Sequence, residues 1–103
     1  MTSVSFEEGV IEGIHQEDVA KDWAARGFSC ELWVDPPEQV WENYVHAADE
    51  LLMPLTGLLQ VEFRGEAHKL SAGQEIRIPA GMIHSIRNIS HTTVSWLYGY
   101  NQS

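Results

Sequence analysis

The spacing of apolar residues along the chain changes once, early, and then holds. Between Gln16 and Arg26, QEDVAKDWAAR places Val19, Ala20, Trp23 and Ala24 on one stripe at helical spacing, with acids in its first turn, Arg26 in its last and Gly27 just beyond. Acids favour a helix N-terminus and glycine its C-terminal stop, so a short helix is predicted here. After Gly27 the period falls to two in FSCELWV, the signature of a strand with alternating faces, and the run stops at Asp35, Pro36 and Pro37.

From that break onward the chain divides into short segments separated by turn residues: QVWENYVH, ELLMPLT before Gly57, LLQVEFR before Gly65, AHKL, EIRI, HSIRNI and TTVSWLYGY. Short strands punctuated this often by glycine and proline predict an all-β sandwich or barrel. Pro54 cannot donate to a ladder, so ELLMPLT is expected at a sheet edge or a bulge. Residues 1–35 read as an N-terminal extension whose helix and strand pack on a barrel formed by residues 36–103.

Composition narrows the class. A chain of 103 residues with 44% hydrophobic and 20% charged residues can bury a core as one domain. No run is long enough to span a bilayer, and MTSVSFEEG lacks the basic start and apolar stretch of a secretory leader, so a cytoplasmic protein is expected. The single cysteine, Cys30, excludes an internal disulfide and reads as a buried thiol. Twelve acids and two bases fall in residues 1–50, against three acids and four bases in the remainder. Such a surface makes nucleic acid an improbable partner, because phosphate contacts need basic side chains.

The residues with chemistry to offer are His46, Glu50 and His84. Imidazole and carboxylate suit divalent first-row metals, and two histidines with one carboxylate leave coordination positions open. Taken alone WENYVHAADE is ambiguous: His46 and Glu50, four apart, would share a helix face, whereas on a strand the paired residues are Tyr44 and His46. Asp49 is an alternative to Glu50.

The downstream segment GQEIRIPAGMIHSIRN sets Gly73, Pro79, Gly81, His84 and Asn88 at the spacing of the second motif of the cupin family. His46, Glu50 and Gly57 match the latter half of the cupin first motif, so most of residues 36 to 100 resembles a small cupin. The resemblance implies a double-stranded β-helix, or jelly-roll, barrel preceded by the short N-terminal helix. It also implies a divalent transition metal (iron, manganese, zinc or nickel) held inside by His46, Glu50 and His84. Two positions depart from the pattern. Glu38 stands where the first motif opens with glycine, and Tyr44 where it has its first histidine. Tyr44 could fill the barrel, hydrogen-bond near the metal, or ligate it.

Trp41, Leu52, Ile86 and Trp96 are candidates to line a pocket, with Trp33 at its mouth. Trp96, Tyr98 and Tyr100 share one strand face and are expected in core or subunit packing rather than against a ligand. The resemblance implies a metal-dependent enzyme acting on a small organic molecule, such as a dioxygenase or isomerase. The alternative is a non-catalytic module that binds metal or a small ligand, its site degenerate at Tyr44. The apolar faces of ELLMPLT and TTVSWLYGY suggest a homodimer.

Overall fold

The first element forms as its pattern predicts. The computed structural model describes residues 14–101, so the reading of the opening MTSVSFEEG lies outside the described residues. Helix α1 runs over Gln16–Ala25, with Arg26 at its C-cap. The Phe28 N–H then donates to the Trp23 carbonyl (2.8 Å) and the Gly27 N–H to the Ala24 carbonyl (3.0 Å). That pair of bonds is the Schellman arrangement, and it needs the left-handed φ of 87° at Gly27. It also folds Phe28 back beside Trp23, and both are buried with Leu51 and Leu97.

Eight strands follow: β1 (Glu31–Asp35), β2 (Val40–Tyr44), β3 (Glu50–Pro54), β4 (Leu58–Phe63), β5 (Glu66–Ser71), β6 (Ile76–Ile78), β7 (His84–Asn88) and β8 (Val94–Tyr100). They form two antiparallel sheets, ordered β1-β8-β3-β6 and β2-β7-β4-β5. Apart from the β4–β5 hairpin, successive strands cross from one sheet to the other, which gives the expected jelly-roll barrel with a short helix on its outside. The strand expected to pack on the barrel, β1, is paired into it along β8 over its whole length.

Alternation on β3 and β8 separates two apolar clusters. Leu52, Val94 and Trp96 point between the sheets and meet Leu59, Val61 and Ile78. Leu51 and Leu97 point outward and are covered by α1. Gly99 sits on that outer face, where any Cβ would collide with the Ser29 carbonyl oxygen, so only glycine lets the segment after α1 lie flat on β8. Gly57 is constrained differently: φ is 69°, and a Cβ would fall 2.6 Å from Val94 Cγ2.

Two expectations need correction, and the faces on which a third was based are placed differently. ELLMPLT is not an edge strand, because β3 lies between β8 and β6. Pro54 is tolerated because β6 pairs with β3 only from Glu50 to Leu52. The Pro54 carbonyl beyond it accepts from the Gly73 N–H (2.9 Å), so the missing proline N–H falls on a side that offers no strand partner. The apolar faces of β3 and β8 assigned to a homodimer are consumed inside the molecule by α1 and the opposite sheet. Exposed apolar side chains occur instead on the edge strand β1, at Leu32 and Val34. Cys30 is half-buried rather than enclosed, and burial raises its thiol above the ordinary value. No helix among the described residues is long and apolar enough to cross a membrane.

Candidate metal centre and aromatic pocket

Each member of the His46–Glu50–His84 cluster is placed by local structure the sequence can be made to explain. His84 opens β7 after the turn at Pro79, which is closed by the Met82 N–H to the Pro79 carbonyl (3.2 Å). Glu50 opens β3, flanked by Ile78 of β6 and Tyr100 of β8. His46 is not on a strand as expected: β2 ends at Tyr44. Asn43 takes a left-handed φ of 58°, and the β2–β7 register slips there by one residue. His46 is held instead through its carbonyl, which accepts from the Gly81 N–H (2.8 Å). Asp49 is excluded from the cluster by its own bonds, since its carboxylate takes the Ala80 N–H (2.7 Å) and the Arg77 guanidinium (2.6 Å).

Ligand atoms of His46, Glu50 and His84 lie within 4.8 Å of one another. Glu50 Oε1 is 3.3 Å from His84 Nε2 and 3.6 Å from His46 Nε2. Both Glu50 and His84 are 2% exposed. His84 Nδ1 lies 3.0 Å from the Met82 carbonyl, which can only accept, so that nitrogen carries the proton. Nε2 of the neutral ring then turns a lone pair toward a carboxylate oxygen, and neither atom has a hydrogen-bond partner among the described residues. Two buried lone-pair bearers facing each other call for a cation between them. A proton answers that demand in part: burial opposes charging His84, but Glu50 and the Met82 carbonyl outweigh it and raise the imidazole above its ordinary value. The donor set, two imidazoles and a carboxylate, also fits a divalent transition metal.

The cluster opens onto a cavity of ≈ 230 Å³ whose wall includes Trp33, Trp41, Tyr44, Ile86, Trp96, Tyr98 and Tyr100. Trp41, Ile86 and Trp96 are part of that wall, with Trp33 beside them. Leu52 is not. It lies two residues along β3 from Glu50 and packs in the apolar interior. Tyr98 and Tyr100, assigned to core or interface packing, face the cavity. The Tyr100 hydroxyl is 3.3 Å from His46 Nε2, and burial and then the Glu50 charge push its pKa up to about 12, so it stays a phenol. Tyr44 is 42% exposed and stacks on His46 (centroids 6.3 Å, 17°), while its hydroxyl bonds to none of the three. The phenol that reaches the cluster is therefore Tyr100.

Comparison with known proteins agrees with this architecture. The family model for the cupin domain matches residues 31–100. A polyketide synthase protein, CurC of Streptomyces cyaneus, is 33% identical over 66 residues, covering 64% of this chain and 43% of its own. The chain thus spans less than half the length of that curated relative. Among solved structures, oxalate oxidase in complex with glycolate superposes with a TM-score of 0.67 at 23% identity, over 75% of this chain and 43% of the enzyme. The cupin domain of an XRE family transcriptional regulator from Enterobacter cloacae gives 0.67 at 23% identity, over 79% of this chain and 88% of that domain. At such identities the structures speak for the fold alone. With the family model covering most of the chain, both sheets included, the chain belongs to the cupin domain family.

Proposed function

We propose that the protein is a metal-dependent enzyme acting on a small, ring-bearing organic molecule, with His46, Glu50 and His84 holding a divalent transition metal. The observation that carries the reading is the facing pair of unpartnered buried atoms, His84 Nε2 and Glu50 Oε1, at the wall of an open aromatic cavity. Bound there, the ion would supply Lewis acidity toward a substrate oxygen or activation of water or dioxygen.

The chain's own residues do the rest. Met82 fixes the His84 tautomer, and Gly81 holds the backbone of His46. The Tyr100 hydroxyl is placed to hydrogen-bond an oxygen of a bound molecule, and the aromatic wall excludes water from its apolar body. An apolar cavity of ~150 Å³ takes up benzene, so the ≈ 230 Å³ here suits a substituted or two-ring molecule. The polyketide synthase name of the Streptomyces cyaneus relative supports a polyketide context.

The test is metal content. Protein purified without chelators or an affinity metal should carry about one equivalent of metal per chain by elemental analysis, and His84→Ala should lose most of it, because one of three protein ligands is gone. Wild-type protein that stays metal-free after incubation with each of iron, manganese, zinc and nickel would sink the proposal. Turnover of phenolic ring compounds by the loaded protein separates an enzyme from a binding module.

A further inference from the structure

Three indole N–H groups from three strands converge on one carboxylate. Trp33 Nε1 donates to Asp35 Oδ1 (2.8 Å), Trp41 Nε1 is shared between Oδ1 (3.2 Å) and Oδ2 (3.0 Å), and Trp96 Nε1 donates to Oδ2 (3.0 Å). Asp35 is 1% exposed, pairs with Val94 across β1 and β8, and forms no ion pair among the described residues. Its charge is met by indole dipoles alone. All three indoles line the cavity, whereas Asp35 does not.

Two consequences follow from this geometry. Each N–H is turned behind the wall, so the indoles show the cavity only carbon. The polar groups left to it are the His46–Glu50–His84 cluster and the phenols. Second, packing alone does not hold Trp33. Trp33 sits on an edge strand and is 41% exposed. Its hydrogen bond to Asp35, two residues on and on the same strand face, sets its orientation. From there the order passes ring to ring, Trp33 to Trp41 (centroids 6.0 Å, 72°) and Trp33 to Tyr98 (6.4 Å, 77°). A carboxylate is an unusual choice if the aim were stability only, since buried ionic groups are commonly replaced by apolar ones without loss.

We propose that Asp35 is a positioning residue that presets Trp33, Trp41 and Trp96 as a hydrocarbon wall for a planar aromatic ring, leaving the ring's oxygen substituent to face the His46–Glu50–His84 cluster. The ring's orientation toward a metal rests on the function proposed above, but the wall itself does not. Presetting the indoles removes the cost of ordering them when a ligand arrives, and that saving appears as affinity.

The probe is 2-naphthol, a planar phenol, titrated into the full chain with and without added metal and followed by calorimetry. Asp35→Asn keeps the shape but replaces one acceptor oxygen with an NH2 that cannot accept an indole N–H. Its affinity for 2-naphthol should fall about tenfold, the loss expected when two or so side chains must be ordered on binding. Its metal content should stay at the wild-type value, and its near-UV tryptophan circular dichroism should flatten. A folded Asp35→Asn protein with unchanged 2-naphthol affinity would overturn the role of Asp35. Wild-type protein that preferred tetramethylammonium to 2-naphthol would overturn the ligand class. If the variant does not fold, nitrogen-15 spectra of the wild-type indoles decide. Three N–H signals that exchange slowly with deuterium before ligand is added support a preset wall, and rapid exchange refutes it. Metal content is read on the same samples, so a metal-free wild type would strike the metal centre while the comparison of wild type with Asp35→Asn still stood.

Discussion

All four tryptophans of the chain donate their indole N–H to a carboxylate, yet the two carboxylates serve opposite sides of the same sheet. On the outside, Glu75 takes the Trp23 N–H (2.9 Å) and the Arg26 guanidinium (2.7 and 3.0 Å), clasping α1 to the segment before β6. On the inside, Asp35 takes three indoles and, among the described residues, no cation. The outer carboxylate is partly solvated and balanced by arginine, so its loss is a matter of stability. The inner one is dry and balanced only by oriented dipoles, so its loss is a matter of where rings point. The same donor–acceptor pair therefore carries different meaning according to what else shares the acceptor.

The contrast is sharpened first by removing the outer indole altogether. Trp23 is fully buried, and Trp23→Ala should cost ~3–5 kcal/mol in urea denaturation, while metal content and 2-naphthol affinity of the folded fraction stay at wild-type values. Loss of metal in a still-folded Trp23→Ala protein would show that the two sides are coupled.

A smaller effect, of opposite sign, is expected beside the inner carboxylate. Glu38 has a φ of 68° in a turn closed by the Gln39 N–H to the Pro36 carbonyl (3.3 Å), with Pro37 ahead of it, as in a type II turn. A side chain in that conformation costs ~1 kcal/mol, so Glu38→Gly should raise stability by about that amount. The cupin pattern has glycine at this position, and the backbone keeps the shape even where the residue has changed.

The smallest effect belongs to the outer clasp and shows itself in acid. The Arg26 hydrogen bonds, opposed by burial and aided by the Trp23 N–H, hold the Glu75 carboxyl below its usual range. A depressed folded value means the contribution is complete above the ordinary carboxylate range and is lost as pH falls through the folded value. Glu75→Gln should cost under about 1 kcal/mol at neutral pH, the worth of a partly exposed pair. Wild-type and variant stabilities should then converge on acidification. Curves that stay parallel would mean that the pair contributes through packing rather than charge.

Much of the fold is legible in the sequence. The helix over Gln16–Ala25, its glycine stop, the turns and the spacing of His46, Glu50 and His84 are local properties, read from neighbours a few residues apart. Apart from the bulge at Asn43, the departures at the site involve long-range choices. That Trp96, Tyr98 and Tyr100 share a face follows from alternation, but whether that face meets a cavity or a partner depends on which side α1 covers. Asp35, beside two prolines, reads as the end of a strand, and nothing local signals that Trp96, 61 residues away, will donate to it. Tyr44 was the expected aromatic neighbour of the candidate metal ligands, yet the bulge at Asn43 leaves it at the mouth and Tyr100 comes in from another strand.

Periodicity and spacing therefore determined the elements and the ligand candidates, because φ and ψ preferences and side-chain alternation act within a few residues. Which alternate face became lumen, which phenol reached His46 and which carboxylate gathered three indoles were decided only when two sheets closed on each other. Those contacts join residues that the chain keeps far apart, and their energies depend on burial that no single segment has by itself.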